Sequence, residues 1–373
     1  MFKFKSLIGF IIPLSAVLLA LMLGAVMLLS LGANPIDGYI TMFGSAFGNL
    51  EGFSETTVKS IPLLLVGVGI CIAFRASVIN IGGEGQMVMG ALFATGMALI
   101  YPDLPPFIMI PLILFAGATG GAFWGGIAGS LKAYFNVSEI LSTIMLNIVA
   151  VQFMNFLLRG PMIDPEEIQR GTRIPQTMRL SENADMPILI EGMRMHLGII
   201  IALVVAILAY FLLWRTSIGF RLRSVGFNPA AARYAGISVP KNITSALAFS
   251  GAMAGIAGAI LVFGSESHRM VTDGSSTGFT GSAGFNGIVV ALLAGLHPLW
   301  AIPSALLFGG MLVGANALQR VAQVPSALII ALNGLIVVFV VSSEYFRQKS
   351  LQKRSTDLPV DNNTDNLEGE ENV

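Results

Sequence analysis

Few side chains in this sequence could do chemistry, and most of those sit in or beside long apolar runs. Glu84 and Gln86 belong to Ile79-Asn80-Ile81-Gly82-Gly83-Glu84-Gly85-Gln86, which opens one such run. Thr143 and Asn147 lie four residues apart inside another, with Glu139 at its start and Asn155 two turns further on. A spacing of four puts Thr143 and Asn147 on one helix face. Phe285 and Asn286 stand in the glycine-rich stretch Gly281-Ser282-Ala283-Gly284-Phe285-Asn286-Gly287. Amides, a hydroxyl and a carboxylate of this kind form a hydrogen-bonding surface, not a nucleophile with its base. Gly274-Ser275-Ser276-Thr277-Gly278 fits the pattern of a nucleophile elbow, but that motif needs a strand-to-helix turn, and the sequence places no base beside it. Glu266 and His268 read as a solvated polar turn. The three histidines, His196, His268 and His297, are too scattered for a metal cluster. No G-x-x-x-x-G-K-[ST] loop is present, so the chain has no phosphate cradle of that type. No enzymatic activity is expected of it.

The elements that must position these groups follow from composition. The 373 residues are 54% hydrophobic and only 11% charged, with 21 basic residues balancing 21 acidic ones. A soluble chain carries about a quarter charged residues, so too few are available here to cover a water-facing surface. The balanced charge gives no reason to expect nucleic acid. Cys71 is the single cysteine, which rules out an intrachain disulfide. A helix crosses the bilayer with about 20 apolar residues. Runs of that kind fall near 7–31, 57–75, 83–101, 107–131, 138–158, 197–214, 242–264, 284–297, 299–318 and 326–343. The expected fold is therefore an all-α membrane protein of about ten transmembrane helices. The first run is longer than a signal-peptide core and reads as a retained helix. With the N-terminus inside, 13 of the 21 basic residues face the cytoplasm, which favours both termini cytoplasmic. The tail 347–373 turns acidic and reads as disordered.

Five runs precede the external segment 159–196 and five follow it, giving halves of 7–158 and 197–343 within a transmembrane domain 1–346. An odd number per half inverts one half against the other, the arithmetic of an inverted repeat. The third and eighth runs occupy matching places and both begin in glycines, which points to a pathway; small residues that let helices pack closely explain the same glycines. Ionisable groups at membrane depth are costly and are functional candidates. Glu84 is then either on that pathway or at the cytoplasmic edge, paired with Arg75. Asn147 is either on the pathway or interhelical glue, worth about 0.6–2 kcal/mol per hydrogen bond.

The cytoplasmic loop 215–241 holds Arg215, Arg221, Arg223, Arg233 and Lys241. Within it Asn228 suits an N-cap, Pro229 the first helical position, and Ala230, Ala231 and Ala232 the helix body. Gly236 can close the helix in a left-handed conformation. About two turns are too short to be stable alone, so such a helix needs a surface to dock on; a basic connector is the plainer alternative. The tripeptide Asn228-Pro229-Ala230 also occurs in water-channel half-helices, but those sit at membrane depth, and this one lies among arginines.

The stretch from Gly219 to Ile237, with Val225-Gly226-Phe227-Asn228-Pro229-Ala230-Ala231-Ala232-Arg233-Tyr234-Ala235-Gly236 at its centre, resembles the cytoplasmic loop of bacterial ABC importer permeases of the ribose and branched-chain amino acid superfamily. Residues 79–86, 138–147 (Ser138-Glu139-Ile140-Leu141-Ser142-Thr143-Ile144-Met145-Leu146-Asn147) and 284–293 are similar to further motifs of its nucleoside and simple-sugar branch. Gly83 departs from the bulkier residue common there. The resemblance, over about 57–343, implies a permease subunit in the bacterial inner membrane that hydrolyses nothing itself. ATP and Mg would be bound by a partner ATP-binding subunit, with Asn228, Pro229, Ala231, Ala232, Arg233, Tyr234 and Gly236 forming the helix that docks on it. It further implies a second permease subunit and an extracytoplasmic substrate-binding lipoprotein, which the segment 159–196 could receive. A nucleoside is the favoured cargo, with simple sugars or branched-chain amino acids as alternatives, and a gradient-driven carrier as the reading of a different class. Glu84, Gln86, Thr143, Asn147, Phe285 and Asn286 would line the translocation pathway, where amides and hydroxyls suit a neutral cargo rich in donors and acceptors.

Overall fold

A computed structural model describes residues 21–322 apart from 31, 33 and 266, together with isolated positions at 15, 18, 19 and between 331 and 342. Within it the chain forms helices α1 (Leu21–Ser30), α2 (Pro35–Phe47), α3 (Leu50–Arg75), α4 (Gly83–Ile100), α5 (Pro106–Phe135), α6 (Glu139–Arg159) and α7 (Pro165–Arg170). Then follow α8 (Gly198–Arg215), α9 (Ser217–Phe227), α10 (Pro229–Tyr234), α11 (Val239–Phe263), α12 (Ser276–Thr280), α13 (Ala283–Leu293) and α14 (Ala301–Ala322). Among the described residues every regular element is helical, and β-pairing is confined to the isolated bridges Gln176↔Val271 and Ile188↔His196.

Six of these helices are long and apolar enough to cross a membrane: α3, α5, α6, α8, α11 and α14. Helix α4 begins with Glu84 and Gln86, and α13 has 11 residues, or about 16 Å at 1.5 Å per residue, half of a bilayer core. The sequence reading of ten full spans is thus coarser than the structure. The eighth run is a half-length helix, about half of the first lies outside the described residues, and so do most of the tenth and all of the tail. The second run starts earlier than expected, at Leu50, where the Asn49 side chain accepts the Gly52 N–H at 2.7 Å and caps the helix. Four helices were not expected at all: α2, which Asn34 caps through Ile36 N–H, the short α7 and α12, and α9, inside what reads as a connecting loop.

Helix α3 is the most enclosed of the six long spans and α11 lies beside it, packed on α4 and α5. Lipid tails are as apolar as leucine, so close packing rather than the hydrophobic effect holds such helices together. Glycines make the approach possible. A Cβ built on Gly255 of α11 would overlap the carbonyl oxygen of Gly117 in α5, and one on Gly90 of α4 would overlap the backbone of Gly255. Three backbones therefore meet at one residue. Helix α6 leans on this group through Trp124 Nε1, which donates to the Leu146 carbonyl at 3.1 Å. Its turn from α5 is closed by the Lys132–Glu139 ion pair at 2.9 Å. Ile140, Leu141, Met145, Ile148 and Val149 of α6 are left exposed.

Candidate functional site

The polar residues of the third run fold into a knot around the start of α4. Asn80 precedes the helix, and its Oδ1 accepts the Gly82 N–H at 2.9 Å, turning the chain into α4. Its Nδ2 donates to Gln86 Oε1 at 2.9 Å and to Ser250 Oγ of α11 at 2.8 Å. Gln86 Nε2 returns a bond to Asn80 Oδ1 at 3.2 Å. Asn147 of α6 reaches the same turn from the other side: Oδ1 accepts the Gly85 N–H at 2.8 Å and Nδ2 donates to the Ile81 carbonyl at 3.0 Å. The first amides of a helix have no partner within it, so Asn147 supplies one from a neighbouring helix.

Glu84 is fully buried. It does not pair with Arg75. One carboxylate oxygen accepts the Thr280 hydroxyl of α12, and the other accepts the Phe285 N–H in the first turn of α13 at 3.2 Å. Arg75 instead donates to the Leu296 carbonyl at 3.1 Å and lies over the Trp214 ring, 5.1 Å from its centre. The starts of α4 and α13 touch: a Cβ on Gly284 would overlap the Glu84 amide nitrogen, and one on Gly83 would lie 3.1 Å from Gly284 Cα.

Four of the six expected pathway residues, Glu84, Gln86, Asn147 and Phe285, thus gather where α4, α6 and α13 meet. Thr143 is close by but turns its hydroxyl to the Glu139 carbonyl of its own helix at 2.6 Å. Asn286 is half-buried one position beyond Phe285. Beside the knot, Ile144, Asn147, Ile148, Val151, Gln152 and Phe285 line a pocket of about 240 Å³ on the open side of α6. Gln152 was missed in the sequence, although its spacing from Ile148 and Asn155 puts it on the same side of α6. Asn155 is engaged further out, accepting from Thr272 and donating to the Gly274 carbonyl, each at 3.2 Å.

At the C-terminal end of α3, α9 and α10 form a second constellation. Gly226 of α9 presses on the Arg75 carbonyl so closely that a Cβ there would overlap it, and Ser77 Oγ donates to the Gly226 carbonyl at 2.7 Å. Asn228 Oδ1 accepts the Ala231 N–H at 3.0 Å, capping α10. The far end closes by a Schellman motif: Gly236 has φ 78°, its N–H bonds the Arg233 carbonyl, and the Ile237 N–H bonds the Ala232 carbonyl, each at 3.0 Å. Ala232 faces inward onto Val225 and Val239. Outward, Phe227 and Tyr234 are 87% and 95% exposed.

A family model described as the branched-chain amino acid transport system / permease component matches residues 52–341. The chain belongs to that permease family. Among curated relatives, the permease is 36% identical over 348 residues to the guanosine ABC transporter permease protein NupP of Bacillus subtilis, covering 92% of this chain and 96% of the relative. It is 32% identical over 335 residues to the nucleoside ABC transporter permease protein NupB of Lactococcus lactis (88% and 90% covered). It is also 32% identical over 364 residues to the glucose ABC transporter permease protein TsgB13 of Haloferax volcanii (94% and 92% covered). No solved structure matches the permease.

Proposed function

We propose that the permease imports nucleosides as the membrane subunit of an ATP-driven importer, with α10 as the element through which a separate ATP-binding subunit drives it. Nucleoside and guanosine permeases among its relatives support the cargo. The single observation that carries the coupling role is the build of α10. A six-residue helix is capped at both ends and pinned inward by Ala232, yet its Tyr234, like Phe227 at the end of α9 just before it, stands almost fully to the outside. Large exposed aromatics on a fixed, polar-rimmed platform suit a partner's pocket. Arg233 beside them offers a charge to that partner.

In this reading ATP and Mg belong to the ATP-binding subunit. A second, related permease covers the exposed apolar face of α6, and cargo passes along the pocket lined by Asn147, Gln152 and Phe285. Glu84, Gln86, Thr143 and Asn286 shape that path from behind. A substrate-binding lipoprotein delivers cargo to the side of segment 159–196. The assembly sits in the bacterial cytoplasmic membrane with both termini inside. The test is uptake of labelled guanosine and labelled glucose by vesicles holding the whole complex. Guanosine uptake that needs ATP and survives uncouplers is expected. Uptake that collapses with uncouplers alone, or that takes glucose and not guanosine, overturns the reading.

A further inference from the structure

We propose that Glu84 is a charge latch: its carboxylate holds the facing N-termini of α4 and α13 together, and transport requires that charge. The carboxylate belongs to the first turn of α4, yet its described partners are the Phe285 N–H of α13 and the Thr280 hydroxyl of α12. The two helices point away from each other. Beyond the crossing, α4 runs toward Thr95, whose hydroxyl meets Met270 in the external loop, whereas α13 runs toward Leu296, which is held by Arg75 beside α9. Their positive ends therefore face one another across Gly83 and Gly284 with no side chain between. Each helix N-terminus carries about half a positive elementary charge, and in a buried setting two of them repel strongly. A single negative charge at the junction balances about one positive charge, the sum of the two ends.

The latch also lies on a continuous route from α10. That helix packs on α9, Gly226 of α9 presses on the end of α3, and Arg75 ties that end to the chain just after α13. A displacement at α10 thereby has a packed route to the α13 side of the junction. Glu84 is in this sense a positioning residue: it fixes two half-helices relative to each other and need not touch cargo. The inference rests on the importer reading for its transport measurement alone.

The experiment compares Glu84→Gln, Glu84→Asp and Thr280→Val in the reconstituted complex. Glutamine keeps the shape and can still accept from Phe285, but lacks the charge. The expected result is a tenfold or greater fall in import per assembled complex for Glu84→Gln, with more ATP hydrolysed per molecule imported. Glu84→Asp is expected to recover to within about threefold of the parent, and Thr280→Val to lose about threefold. A purely structural role predicts poorer assembly with unchanged import per complex and unchanged ATP per molecule, and would overturn the proposal. A second measurement needs no cargo. Spin labels at Ile100→Cys and Trp300→Cys, both exposed sites, in a Cys71→Ala background, report the separation across the junction. Glu84→Gln should broaden or lengthen that distance; a distribution identical to the parent's refutes the latch whatever the complex transports. A parent complex that fails to import nucleoside refutes the importer reading and leaves the distance measurement to decide the latch.

Discussion

Replacing Asn147 by leucine tests whether α4 is anchored from α6. Leucine has the same branched skeleton of heavy atoms, so no cavity forms, and the main loss is two hydrogen bonds. Both join α6 to the turn that starts α4: the Gly85 N–H at 2.8 Å and the Ile81 carbonyl at 3.0 Å. The site is buried, so water does not replace the lost partner. Leaving a buried backbone group unsatisfied costs about 1–3 kcal/mol, while interhelical bonds in membranes average about 0.6 kcal/mol because the unfolded helices also find partners. Two bonds between these limits give about 2 kcal/mol. Purified permease in detergent, unfolded by heat or by increasing SDS, should lose about that much, and import per assembled complex should fall as the start of α4 loosens. Asn155→Leu is the internal comparison: its two bonds are longer, at 3.2 Å, and lie outside the knot. It should cost less and leave import close to the parent. A loss for Asn147→Leu below about 0.5 kcal/mol with normal import would show that the reasoning is wrong and that the remaining contacts alone fix α4.

Gly255→Ala should destabilise the permease by about 1–3 kcal/mol, because its methyl group must push α5 from α11; Gly96→Ala, which meets nothing within 4 Å, should be neutral or stabilising in the same assay. On α10, Tyr234→Ala should leave the fold unchanged and weaken capture of the proposed ATP-binding subunit at least tenfold in a pull-down titration. Gly236→Pro breaks the Schellman closure, since proline cannot adopt φ 78° and has no N–H for Arg233, so ATP hydrolysis should continue with import lost. In segment 159–196, the Thr172 hydroxyl, with help from Gln176, holds the Glu167 carboxyl below its ordinary range. A depressed carboxylate contributes stability above its unfolded value of 4.5 and loses it as the pH falls through the lower folded value. Limited proteolysis of 165–176 should therefore accelerate as the pH is lowered from 5 to 3, and Glu167→Gln should flatten that dependence.

Much of the arrangement could be read from short-range patterns. The cap, alanine run and closing glycine of α10 are all within nine residues, so local chemistry alone specifies that helix. Helix α9 was hidden because Arg221 and Arg223 read as loop charge, while the residues that make it a helix surface, Leu222 and Val225, matter only once they are buried against neighbours. Helix α2 was hidden because Pro35, Asp37, Gly38 and Gly44 break any long apolar run. The partner of Glu84 was out of reach for a different reason. Arg75 is nine residues away in sequence and carries the obvious opposite charge, whereas Thr280 and Phe285 are about 200 residues distant and neutral. A hydroxyl and an amide at a helix start satisfy a carboxylate without any charge that a sequence would advertise.

The meeting of α4, α5 and α11 at Gly255 has a consequence for motion. Side chains can slide over one another by changing rotamers, but backbones in direct contact have no such freedom. Any shear between these three helices drives a carbonyl into a Cα, so they translate and rotate as one block. The stroke of the machine must then be borne by the elements packed around the block, α6 and α13 among them. Ligand-induced changes in hydrogen exchange should concentrate there, and the three-helix block should stay silent through the whole cycle.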